Sequence, residues 1–392
     1  MKTPVNILKL VGILLCSLLI TASSNRSNEI GFWQVLNAKA NPFESFWLFP
    51  RYFSTHLKQL PQSTLALLAR NKIPLAQYEY SLTLLGKGQS ETAKLFWLPS
   101  LGSLTSQQKI ELAEQLLEQS RWGDLKLLGN NNRLPRSDVL SHLNLEVGRS
   151  YRVIPKLFLQ RLGFLSVNPN VDPDPQCRFN VLMMSDHRSG LYKLAELVNI
   201  FDKQPEPAKN VFCFSKPMYV AGAIDCNNEA TKMAQCNWPS SLLKKHLPDN
   251  FDFIIMMPKY GSANVRNEIM HLSSQANYAV FLHELMHFSG FEDEYVLPLS
   301  KQAWLCKKSG LVAPNLFISH GEMPPRGWHK SQSCQYYGVA YKPSEKWSIM
   351  QYQQLGLSAQ YRTLWLKHLD MTNGHISRYF DALTPANKAI LN

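Results

Sequence analysis

The chain has 392 residues, with 41 Lys plus Arg against 29 Asp plus Glu and a formal net charge of +12. At 45% hydrophobic and 18% charged residues its composition is that of a globular protein, which excludes a disordered or collagen-like chain. No apolar stretch reaches the roughly 18 residues of a membrane helix, and the basic residues form no run interleaved with aromatics, so neither a membrane bundle nor a nucleic-acid partner is expected.

Residues 1–24 read as an export signal. Lys2 and Lys9 make a basic start, residues 10–20 are an apolar run, and Ala22, Ser23 and Ser24 offer small residues for cleavage. Cleavage would leave no stable membrane span and place the chain in a periplasm or outside the cell. Cys16 leaves with the signal, and an even set remains: Cys177, Cys213, Cys226, Cys236, Cys306 and Cys334. In an exported chain that set predicts up to three disulfides, with about 15 pairings open. No CxxC pair occurs, so a cysteine zinc ribbon is not expected.

Residues 25–165 are expected to form an all-α accessory domain, loosely similar to the helix pairs of tetratricopeptide repeats and able to hold a protein partner. Within residues 107–119 the side chains Ile110, Leu112, Ala113, Leu116 and Leu117 make one apolar stripe, with Ser106 as a candidate cap. Residues 77–97, broken at Gly86, Lys87 and Gly88, predict a second helical hairpin. The breaker cluster at residues 168–175, with Pro169, Pro173 and Pro175, marks the domain boundary region. Its Asp172 and Asp174 lack the ligand spacing of a calcium loop.

From residue 166 to 392 the pattern predicts an α+β domain, a twisted mixed sheet backed by helices. Residues 179–184, 211–214 and 251–257 read as strands. Residues 191–201 and 274–288 read as helices.

The last of those helices holds His283, Glu284, Leu285, Met286 and His287, an HExxH motif. Residues four apart share one helix face, so both imidazoles can reach one metal ion. Glu284 flanks them and can accept a proton. Gly290 stands where a ligand-bearing helix must end sharply, since glycine takes the left-handed conformation that turns the chain back. Asp293 can then return as a third ligand, with Glu292, Glu294, His320 and His329 as rivals. Three protein ligands with one open position is the catalytic arrangement of zinc.

The pattern HExxHxxGxxD resembles the aspartate version of the metzincin zinc signature. Residues 348–352, Ser-Ile-Met-Gln-Tyr, resemble a Met-turn. That resemblance implies a metzincin-like catalytic domain with one Zn2+ on His283, His287 and Asp293. It also implies Met350 as an apolar floor and Tyr352 as a donor to the tetrahedral intermediate. The same blocks, with Asp293, Glu294 and Tyr295 and the Tyr341, Lys342, Pro343 segment, are similar to the immunoglobulin-A-peptidase family of zincins. This chain departs from that family by one residue fewer between His287 and Asp293, and by Lys342 in place of the usual Arg. An edge strand aligning the substrate is expected in residues 251–257 or in the turn at residues 259–263. The implied activity is hydrolysis of peptide bonds, with Glu284 as general base and then general acid. An amidase acting on cell-wall peptides and a non-catalytic exported scaffold are the competing readings.

Overall fold

The computed structural model describes residues 29–130, 134–169, 171–227, 229–237, 248 and 250–371. The proposed signal at residues 1–24 lies outside them. The chain divides into two compact units, Met1–Leu140 and Ser141–Asn392.

The first unit is helical: α1 (Phe32–Ala40), α2 (Pro42–Leu48), α3 (Pro50–His56), α4 (Gln62–Arg70), α5 (Pro74–Gly86), α6 (Ser90–Ser100), α7 (Ser106–Glu118) and α8 (Trp122–Gly129). The expected hairpin is α5 and α6, and Gly88 at φ +73° makes the turn between them. Helix α7 buries Leu112, Ala113 and Leu116, three residues of the expected stripe. Its cap is Thr105 rather than Ser106. The Thr105 hydroxyl accepts from the Gln108 amide, and the Gln108 side chain accepts from the Thr105 amide. Helix α9 (Asp138–Glu146) crosses the unit boundary.

That boundary falls before residue 166, where the sequence placed it. The cause is packing: Leu145 and the α10 residues (Lys156–Arg161) Phe158 and Leu159 bury against Leu191, Tyr219 and Ala221. Tyr219 also donates from its hydroxyl to the Arg149 carbonyl at 2.5 Å. The two last helical pieces before the breaker therefore belong to the second core.

The second unit is α+β. Its main sheet has the order β1 (Leu165–Ser166), β4 (Met218–Tyr219), β2 (Phe179–Ser185), β7 (Phe253–Met257), β9 (Ile269–His271) and β8 (Asn264–Arg266), with β3 (Phe212–Phe214) also paired to β2. All these pairings are parallel except β8 with β9, which is antiparallel and leaves β8 at the edge. Strands β2 and β7 are buried at every position, which explains their near-continuous apolar sequences. Val181 and Met183 face one layer, where α11 (Arg188–Lys203), α12 (Tyr278–His287) and α14 (Ala359–Met371) supply Leu194, Phe201, Phe281, Leu285 and Trp365. Leu182 and Met184 face the other, with Val220, Ile254 and Met256. Each such side chain stabilises the fold by about 1.5–3 kcal/mol, and together they fix the helix that carries the HExxH motif.

A short ribbon pairs β5 (Asp225–Cys226) with β6 (Cys236–Asn237). A four-stranded antiparallel sheet follows α13 (Leu299–Leu305), in the order β10 (Gly310–Ala313), β11 (Leu316–Ser319), β13 (Val339–Lys342) and β12 (His329–Lys330). The six expected cysteines form three disulfides, Cys177–Cys213, Cys226–Cys236 and Cys306–Cys334. All three lie in the second unit. Among the described residues no helix is long and apolar enough to cross a membrane.

Candidate metal centre

Helix α12 starts where the Asn277 side chain accepts from the Val280 amide at 3.0 Å, four residues after the start read from the sequence. Its apolar face (Phe281, Leu285, Met286) is pinned to the sheet, and His283 and Glu284 are themselves 2% and 4% exposed. The helix ends at His287, and Gly290, at φ +76°, turns the chain back as its type and position suggest. Trp365 holds that turn by donating from Nε1 to Ser289 Oγ at 2.7 Å. The returning chain brings the Phe291 carbonyl to His287 and the Asp293 carboxylate to both imidazoles.

His283 Nδ1 lies 2.9 Å from the Ile349 carbonyl and His287 Nδ1 lies 2.7 Å from the Phe291 carbonyl. A carbonyl oxygen can only accept, so both Nδ1 atoms donate, and in the neutral rings each Nε2 keeps a lone pair. The two Nε2 atoms are 3.2 Å apart, and Asp293 Oδ1 lies 3.3 Å from His283 Nε2 and 3.2 Å from His287 Nε2. Zinc–ligand bonds of about 2.0–2.1 Å at tetrahedral angles put neighbouring ligand atoms about 3.3–3.4 Å apart. The three observed edges fit that figure. Asp293 Oδ1 is moreover buried without a hydrogen-bond partner. A buried, orphaned anionic oxygen facing two lone pairs is what a divalent cation satisfies.

The three groups also shift one another's protonation, and a proton on His287 must leave before a cation can take its place. Burial pushes the Asp293 carboxyl up, but the two imidazoles outweigh it and hold the group well below the usual carboxylate range. Burial pushes His287 down, and the carboxylates of Asp293 and Glu284 override it to raise the imidazole to about 9. Glu284 is raised, first by burial, with the two histidines pulling the other way. Burial thus makes Glu284 a stronger proton acceptor than an exposed glutamate.

The rival ligands are elsewhere. Glu292 Oε2 is 2.5 Å from Lys301 Nζ. Glu294 is fully buried, accepting from Asn315 Nδ2 at 2.8 Å, from Ser348 Oγ at 2.5 Å and from the Tyr361 hydroxyl. His320 Nε2 faces the Cys306 carbonyl at 3.1 Å, and His329 is exposed on β12. A second cluster, Asp174 with Cys177 and Cys213, offers no thiolate because its cysteines are joined to each other.

Met350 is fully buried in the cluster with Phe281, Leu285 and Met286, and its carbonyl accepts from the Glu294 amide at 2.9 Å. Tyr352 follows Met350 in the same turn, its amide donating to the Ser348 carbonyl at 2.9 Å. Its ring packs on Trp347 at a centroid distance of 4.7 Å, and among the described residues it is Tyr295 that lines the cleft. The Tyr295 hydroxyl is raised above its ordinary value, first by burial and then by the Asp293 carboxylate, so it stays a hydrogen-bond donor. A tyrosine two residues past a candidate ligand was the sequence signal for this position.

The cleft has a volume of about 270 Å³ and reaches from His283, Glu284, His287 and Asp293 to Asn264, Val265 and Arg266. Those last three residues are β8, so among the described residues the edge strand beside the centre is β8, directly after the expected 259–263 turn whose Ala263 also lines the cleft, and not residues 251–257, whose strand β7 is paired on both sides by β2 and β9. The chain matches no protein-family model, no curated protein and no solved structure.

Replacing Asp293 by Ala removes one of three donors. Zinc affinity is expected to fall by more than the about 10–100-fold that loss of an outer partner costs. Elemental analysis of the purified variant checks this, and an unchanged zinc stoichiometry would place the third ligand elsewhere.

Proposed function

We propose that the chain is an exported zinc-dependent endopeptidase of metzincin type. The convergence of His283 Nε2, His287 Nε2 and Asp293 Oδ1 at tetrahedral edge spacing, directly beside buried Glu284, carries this reading. These three residues would hold one Zn2+, which when bound supplies Lewis acidity toward a carbonyl and lowers the pKa of water toward 7. Glu284 takes the proton of the attacking water and returns it to the leaving amine, the base-then-acid role that a buried, raised carboxylate suits. The free edge of β8 binds an extended peptide by main-chain hydrogen bonds, and its antiparallel setting orients that peptide across the cleft. Tyr295 donates to the oxygen on which charge develops, a contribution of about 2.7–4 kcal/mol at comparable oxyanion donors. The three disulfides, and described helices too short or too polar to cross a membrane, are compatible with an exported chain.

The purified protein is expected to cleave casein or a mucin-like glycoprotein, to stop on addition of a chelator, and to recover when Zn2+ is restored. Cleavage of peptidoglycan peptides alone would make it a cell-wall amidase instead. Absence of chelator-sensitive cleavage on all three substrates would leave a scaffold and sink the peptidase reading.

A further inference from the structure

The helices α1 and α2, with Phe49 after them, are inside out by the standards of a protein in water, whereas α3 buries Phe53 and His56. Helix α2 buries one residue, the polar Ser45, and α1 buries one, the small Ala38. What they turn outward is large and apolar: Phe32 is 72% exposed, Trp33 68%, Trp47 65%, Leu48 64% and Phe49 62%. Their rings do not cover one another to any extent that hides them. Phe32 meets Trp33 edge-on at 5.5 Å, and Phe43 meets Trp47 edge-on at 6.1 Å. The fold itself is satisfied without them, since Phe53, Leu57 and Leu65 close the core below. A soluble protein rarely leaves such a concentration of aromatic surface open, and where it does the surface has a partner.

Three observations point to one occupant. The first is composition: tryptophan and phenylalanine are the residues that settle at the boundary between lipid chains and headgroups. The second is segmentation. Pro42 and Pro50 open α2 and α3 and divide the stretch into helices of 9, 7 and 7 residues. At 1.5 Å per residue none approaches the roughly 30 Å of a bilayer core, so the segment can lie along a membrane surface and cannot span it. The third is charge and position. Between Phe32 and His56 the charged residues are Lys39, Arg51 and the single acid Glu44, on a chain of net charge +12. The apolar run of residues 10–20, read above as part of an export signal, stands about a dozen residues upstream in the sequence, so the patch follows the segment that engages a membrane during export.

We infer that α1–α3 form an in-plane docking surface for an anionic lipid bilayer, with Trp33 and Trp47 inserted at the headgroup boundary and Lys39 and Arg51 facing the headgroups. The surface lies in the first unit and the metal-centre residues in the second, and its own charge is two basic residues against one acid.

The test uses the full chain and vesicles of phosphatidylcholine with or without phosphatidylglycerol, the lipids brominated in their acyl chains. Tryptophan fluorescence is expected to be quenched on binding, and Trp33→Ser with Trp47→Ser to remove most of that quenching. The same pair is expected to weaken vesicle partition by at least about tenfold. Both side chains are exposed, so circular dichroism should show an unchanged fold. Lys39→Glu with Arg51→Glu should reduce binding to phosphatidylglycerol vesicles only. Quenching that is equal in parent and tryptophan variant overturns the inference. So does equal affinity for neutral and anionic vesicles, and so does self-association abolished by Trp47→Ser without vesicle binding, which would make the occupant a second copy of the chain.

Discussion

Replacing Glu284 by Gln is expected to lower kcat by about 10² to 10⁴-fold while one zinc per chain remains bound. Glutamine matches glutamate in size and keeps the packing of a side chain that is 4% exposed, but it cannot accept a proton. The three donor atoms lie on His283, His287 and Asp293, and their spacing does not involve the Glu284 carboxylate. The separation between retained metal and lost turnover is therefore the informative result. Elemental analysis together with initial rates on casein checks it. Near-parental turnover would remove Glu284 from the proton path, and lost zinc would mean that it supports the centre rather than the reaction.

The elements that place this centre were legible in the sequence where a repeating period dictated them. The stripe of α7, the turn after α5, the apolar β2 and the HExxH helix all follow from spacing, and Gly290 follows from the turn that the ligands require. What was not legible depends on which surfaces meet. The β8 edge has three residues and no alternation, so only its antiparallel pairing with β9 reveals it. The boundary moved from residue 166 to residue 141 because Leu145, Phe158 and Leu159 find their partners in Leu191, Tyr219 and Ala221, far along the chain. Ser106 and Thr105 are equivalent cap candidates by type, and the choice falls to Thr105 because Gln108 stands three residues after it. Tyr352 has the spacing of a donor and packs its ring on Trp347, and Tyr295, which no spacing rule singled out, lines the cleft. Glu294 was legible only as a carboxylate near the ligands. Its partners at Asn315, Lys342, Ser348 and Tyr361 come from three other segments of the chain.

Those partners make Glu294 the second position of large expected effect. Its side chain has no exposure, and it accepts from Asn315, Ser348 and Tyr361 while Lys342 Nζ stands 3.6 Å away. Lys342 donates also to Gln351 Oε1 at 2.7 Å and to the Lys346 carbonyl at 2.9 Å, and burial lowers its pKa while Glu294 opposes that shift. The network thus ties the residue after Asp293 to the turn at residues 348–351, whose Ile349 carbonyl fixes the tautomer of His283. Glu294→Gln leaves the Lys342 ammonium buried without its anion, and breaking a buried pair in that way costs about 3–5 kcal/mol. For a unit of this size the loss corresponds to a fall in Tm of about 10 °C. Zinc affinity should fall as well, by about 10–100-fold, because Asp293 and His283 both lose part of their support. Adding Lys342→Met to Glu294→Gln removes the stranded charge and is expected to restore part of the Tm but not the zinc affinity. Thermal unfolding followed by circular dichroism, with zinc titration of each variant, separates the two effects. If Glu294→Gln melts within about 2 °C of the parent, the carboxylate does not hold the turn and the network is incidental. If the double variant recovers nothing, the loss comes from the hydrogen bonds to Asn315, Ser348 and Tyr361 and not from the unpaired lysine.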